Sequence, residues 1–108
     1  MESTFYHVTT ETNLENIKKS GLIPQIGPRS QDSGETFPYV YLFDDYGTME
    51  DAAMNWLCDL FDDDEVLVCC EIELPDDIQS KLTKDESSFE VLCPATILPQ
   101  YIKQIWRI

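Results

Sequence analysis

The nine residues from Val66 to Leu74 constrain the fold more than any other stretch, because VLVCC is continuously apolar and EIEL then alternates. Glu71 and Glu73 stand against Ile72 and Leu74, the pattern of a strand buried at its start and half exposed at its end, and Pro75 closes it. A sheet must therefore organise the core. Four further segments read as its partners. Phe5 to Thr9 has a period of two and carries His7. Tyr39 to Phe43 sets Tyr39 and Tyr41 against Val40 and Leu42 and is expected to be central. Phe89 to Cys93 carries Glu90 and stops at Pro94. Ile102 to Ile108 alternates Ile102, Gln104, Trp106 and Ile108 against Lys103, Ile105 and Arg107.

Two helices are expected between these strands. Thr12 and Glu15 form a capping box, Leu14 and Ile17 share a face, and Gly21 ends the segment. A second helix starts at Thr48 with Asp51 three residues on. It places Met49, Ala52, Ala53, Trp56, Leu57, Leu60 and Phe61 at helical spacing, the strongest periodic signal in the chain. Trp56 lies in that apolar stripe and reads as core. The acidic run Asp62 to Glu65 follows at the wrong end of the helix dipole and is expected to be a solvated loop. Leu22 to Pro38, dense in Gly and Pro, is a long loop, and Asp76 to Ser88 shows only a helical hint at Ile78 and Leu82. The class is α+β, and residues 1–108 are expected to form one domain.

Charge narrows the partners. Seven Lys plus Arg against 21 Asp plus Glu leave a net charge of −14, and the basic residues are scattered rather than clustered. Binding to nucleic acid or to an anionic membrane needs a basic patch, so both are disfavoured. A basic protein surface, or mimicry of DNA, suits the charge. No 18-residue apolar run is present, and the opening MESTFYHV lacks a basic and then apolar leader, which argues for a cytosolic, cytoplasmic setting. Cys58, Cys69, Cys70 and Cys93 contain no CxxC, and the adjacent pair point to opposite faces of one strand, so no metal site is expected. With one histidine there is no HExxH, and the phosphate-loop and dinucleotide glycine patterns are missing.

Three residues on three separate strands remain: His7 in FYHVTT, Tyr41 in YVYLF and Glu90 in SFEVLCP. Their order and settings resemble the His-Tyr-Glu signature of the ADP-ribosyltransferase superfamily of poly(ADP-ribose) polymerases and diphtheria-type toxins. His7, Val8 and Thr9 echo its first-strand His with a small hydroxyl residue two positions on. Val40 to Asp44 is similar to its Tyr strand, which runs directly into a helix. Glu90 opens a late strand followed by Ile97, Pro99, Tyr101 and Ile102, as the family's catalytic Glu does. The first thirty residues, with Gly21, Leu22 and Pro24 after the helix, also resemble small bacterial and phage members and the RNA 2′-phosphotransferase and DNA-targeting branches.

The resemblance implies a split β-sheet core with two short helices and NAD as the bound substrate. Glu90 would be catalytic, while His7, Thr9, Tyr41 and Arg29 would hold NAD. Cleavage of the nicotinamide bond passes through an oxocarbenium-like ribose, which a carboxylate stabilises. An aromatic face suits the nicotinamide ring, and a neutral imidazole can both donate and accept. Tyr39 shares the face of Tyr41 and competes for its role. Tyr41 is favoured because it directly precedes Leu42, Phe43 and Asp44. Two functions follow as expectations. One is a mono-ADP-ribosyltransferase or NAD-glycohydrolase acting on a protein or small nucleophile. The other is a non-catalytic acidic protein that masks a basic partner or mimics DNA, as a phage anti-defence inhibitor would.

Overall fold

The computed structural model describes residues 3–24, 38–57, 64–85 and 89–108. In chain order the elements are β1 (Ser3–Thr10), α1 (Leu14–Ser20), β2 (Val40–Leu42), α2 (Tyr46–Asn55), β3 (Leu67–Leu74), a one-turn α3 (Asp76–Gln79), β4 (Thr83–Asp85), β5 (Glu90–Cys93) and β6 (Ile102–Arg107). Tight 3-10 turns occupy Glu11–Asn13 and Pro99–Tyr101. The result is an α+β arrangement of two three-stranded antiparallel sheets, ordered β1-β3-β6 and β2-β5-β4. Among the described residues no helix is long and apolar enough to cross a membrane.

The pattern from Leu67 to Leu74 does what its periodicity requires, although Val66, read as the strand's buried start, lies before it and is exposed. β3 is the middle strand of the first sheet, paired along its length with β1 from Ser3↔Leu74 to Thr10↔Leu67. Cys69 and Cys70 point to opposite faces and enter two different cores. Cys70, Ile72 and Leu74 join Phe5, Ile17, Leu22, Val40, Leu42, Val91, Cys93 and Ile97, while Cys69 joins Val8, Phe43, Met49, Ala52 and Leu57. The second core is the apolar face of α2 laid on the sheet, with Trp56 partly buried beside it.

Several local expectations are corrected. α2 begins earlier than Thr48: Asp45 is its N-cap, accepting from the Thr48 backbone N–H at 3.0 Å and from the Thr48 hydroxyl at 3.2 Å. The capping box at Thr12 does not form. Its hydroxyl lies 2.9 Å from that of Thr10, and a 3-10 turn precedes the helix. Gly21 does end α1, with φ +78°, and a Cβ there would fall onto the Ile97 carbonyl oxygen. Leu22 and Ile97 are bridged by paired backbone bonds of 2.8 and 2.9 Å at this point.

The stretch read as a loop with a helical hint holds both α3 and the short strand β4. The last strand also departs from strict alternation. Glu71 faces Gln104 while Ile72 faces Ile102, so Lys103 is an extra, bulged residue. Because Cys70 and Ile72 share a face, their partners Ile105 and Ile102 do too, although they are three apart in sequence.

β2 is not central in its own sheet, where β5 holds the middle. Among the described residues one backbone bridge ties the end of β2 to the first sheet, in which Tyr6 and Phe43 exchange backbone bonds of 2.8 Å each. Beyond that bridge the two sheets part.

Candidate functional site

The parting of the sheets leaves a local problem in hydrogen bonding that His7 solves. Alternate residues of a strand aim their backbone groups at the same neighbour, so Tyr41, two before Phe43, turns its carbonyl towards β1. No ladder bond meets it there. Instead the His7 ring reaches across, with Nδ1 2.7 Å from the Tyr41 carbonyl oxygen. A carbonyl oxygen can only accept, so Nδ1 carries a proton and donates it. His7 is half-buried, between Phe5 and Thr9 on its own face of β1. The Thr9 hydroxyl, itself buried, accepts from the Asn13 side chain at 3.0 Å, which ties the end of β1 to the start of α1.

Tyr41 and Glu90 meet through the register of the second sheet. Tyr41 lies opposite Leu92, and Glu90, two residues before Leu92, shares its face. The two are thus diagonal neighbours, about 7–8 Å apart at the backbone, within reach of long side chains. Glu90 is only 4% exposed, among the few buried polar residues described. Asp85 of β4 stands directly opposite it. The residue before it, Phe89, has φ +59° and is 60% exposed. A bulky residue in the left-handed region costs roughly 1–2 kcal/mol, and here it turns the chain so that the carboxylate enters the fold while the phenyl ring leaves it. No sequence signal marks this strain.

The structure therefore sets the His7 ring against the Tyr41 backbone carbonyl and puts Tyr41 and Glu90 on one face of the second sheet, with Thr9 on the His7 face of β1. Arg29 lies outside the described residues, as do Cys58 and most of the Leu22 to Pro38 loop. Tyr39 is half-buried on the same strand face as Tyr41.

Thiol chemistry is disfavoured at this centre. Cys69, Cys70 and Cys93 are free and buried. Burial, and then the neighbouring Cys70 and Glu71, push the Cys69 thiol up to about 12, and burial lifts Cys70 to about 11. Both stay protonated and unreactive near neutral pH. Among the described residues no three His, Cys, Asp or Glu side chains group as metal ligands.

A second feature lies on the opposite face of the first sheet. Tyr6, Tyr46 and Trp106 pack with ring centroids 5.6, 6.4 and 6.2 Å apart, two pairs edge-on and one stacked. Carboxylates rim this trio. Partial burial and then Glu71 and Asp45 raise the Tyr6 hydroxyl, and Glu50 raises that of Tyr46 by its charge and by a hydrogen bond.

Comparison of the chain with protein-family models, with curated proteins and with solved structures finds no match.

Proposed function

We propose that this protein cleaves the nicotinamide–ribose bond of NAD and transfers ADP-ribose to a protein or small nucleophile, or to water. The observations that support this reading are the His7 ring bonded to the Tyr41 backbone carbonyl and the buried Glu90 on the same face of the second sheet as Tyr41. In this reading the C1′–N bond breaks and nicotinamide leaves with the bonding pair. The carboxylate of Glu90 stabilises the oxocarbenium charge, and the acceptor's nucleophile then bonds to C1′ and releases its proton to solvent. Tyr41 offers its ring to the nicotinamide. The His7 ring, its Nδ1 proton committed to the Tyr41 carbonyl, accepts at Nε2 from a ribose hydroxyl or the carboxamide.

The test is nicotinamide release by the wild-type protein and by Glu90→Gln, with thermal melting as a control for the fold. The variant keeps the volume but loses the charge. Turnover should fall on the order of a hundredfold or more, about 2.7 kcal/mol of transition-state stabilisation, while NAD affinity and melting change little. Equal release from both proteins, or none from wild type with any acceptor, overturns the reading.

One observation favours a second function. The aromatic trio of Tyr6, Tyr46 and Trp106 with its rim of Glu71, Asp45 and Glu50 suits a cationic surface, through cation–π contact and charge. With a net charge of −14 this favours an acidic protein that masks a basic partner. Its binding should fall steeply with added salt and with Trp106→Ala, whereas NAD binding should be less sensitive to salt and unchanged by Trp106→Ala.

A further inference from the structure

The seven basic residues of this acidic chain are not used alike. Lys84 pairs with Asp44 at 3.3 Å, and Arg107 with Glu11 at 2.6 Å. Lys18 and Lys103 pair with no carboxylate among the described residues, and both line the same groove. It measures about 460 Å³ and lies between α1 and the segment Pro99 to Ile105. Its apolar surface comes from Ile17, Pro99, Ile102 and Ile105.

The bulge at Lys103 builds this groove. Without the extra residue Ile102 and Ile105 would face opposite sides of the sheet, and with it both turn to the side of α1. The bulged Lys103 is held over the adjoining turn, its Nζ 3.4 Å from the Gln100 carbonyl oxygen. A lysine near the end of α1 is accounted for by the helix dipole, which serves Lys18 and Lys19 equally. That account does not explain why Lys18 shares a groove with a bulged lysine from β6. β6 is also the outer strand of its sheet, and a bulge on an edge disrupts the ladder that an added strand would need. The groove is thus poorly suited to an extended peptide, and its volume is that of a small-molecule site.

We propose that this groove binds a small amphipathic anion, its carboxylate, sulfate or phosphate head between Lys18 and Lys103 and its apolar body over Ile17, Ile102 and Ile105. Charge complementarity makes the claim sharp. A protein of net charge −14 favours cations overall, so a local preference for an anion runs against the field of the whole protein.

The test compares two probes with the same apolar body, decanoate and decylammonium, each below its micelle concentration, followed by NMR at the isoleucine methyls. Decanoate should shift Ile17, Ile102 and Ile105 saturably, and decylammonium should not. Lys18→Gln with Lys103→Gln should weaken decanoate about tenfold or more, the scale of 1.4 kcal/mol, with melting unchanged. Decylammonium shifting the same methyls as strongly, or decanoate binding equally to wild type and the double variant, overturns the proposal. The probe pair is read on the wild-type protein, so the result stands even if the double variant does not fold.

Discussion

The two sheets are built to different standards. In β1-β3-β6 the strands are long, β1 and β3 pair over their whole length, and the middle strand is buried on both faces by two separate cores. In β2-β5-β4 each pairing spans three positions, and β5 follows directly on a residue in a strained conformation. The first sheet has the packing to define the fold. The second carries Tyr41 and Glu90, and it needs only to hold them against the first. The candidate residues Tyr41 and Glu90 sit on the less redundant element, where a buried carboxyl group and a strained backbone can be tolerated because stability comes from elsewhere.

That division is open to direct attack. The largest effect is expected from Ile72→Ala, fully buried in β3, which should lose about 3–4 kcal/mol in denaturant unfolding. Val91→Ala in β5 removes fewer methyl groups from a strand with shorter partners and should cost about 2 kcal/mol. A larger loss at Val91 than at Ile72 would reverse the assignment of scaffold and dependent sheet.

Alkali probes the first sheet next. Cys69 and Cys70 hold their protons to about 12 and about 11 in the fold, whereas their ordinary value is 9.0. Between about 9 and those values only the unfolded chain releases protons. Stability is therefore complete below about 9 and falls as pH rises through the window. Melting temperature should drop by several degrees between pH 8.5 and 10.5, and Cys69→Ala should flatten the slope.

At the divide itself, His7→Ala removes the donor to the Tyr41 carbonyl and should cost about 1–2 kcal/mol, with a larger fractional loss of nicotinamide release than of stability. His7→Asn, which keeps a short donor, should restore stability more than release. The smallest effect has the opposite sign. Phe89→Gly relieves a positive φ and loses an exposed ring, so it should stabilise by about 0.5–1 kcal/mol in thermal or denaturant unfolding.

Much of this was legible along the chain. The alternation at Glu71 to Leu74, the helical spacing of Met49, Ala52 and Ala53, and the glycine that ends α1 each depend on a few neighbouring residues, and each formed. The departures are as instructive. Thr48 and Thr12 both suggested caps, but a hydroxyl caps a helix only if the chain enters at that point. In one case Asp45 intervened, and in the other a 3-10 turn preceded the helix. β4 was hidden because three polar residues, Thr83 to Asp85, form a strand only when β5 lies beside them. Ile102 and Ile105 read as facing apart until the bulge at Lys103 put them together.

The sequence by itself determined the five longer-signalled strands and the two main helices, most of their apolar faces, and that His7, Tyr41 and Glu90 fall on different strands. These follow from local periodicity, because the pitch of a helix or strand fixes which side chains share a face. Only the tertiary structure decided that the sheets part after the Tyr6 and Phe43 bridge, that His7 spends its Nδ1 proton on the Tyr41 carbonyl, that Glu90 is buried behind Phe89, and that Lys18 and Lys103 border one groove. Each of these joins residues far apart in the chain. Register, sheet divergence and bulges are set by how whole strands pack together, which no window of neighbouring residues contains.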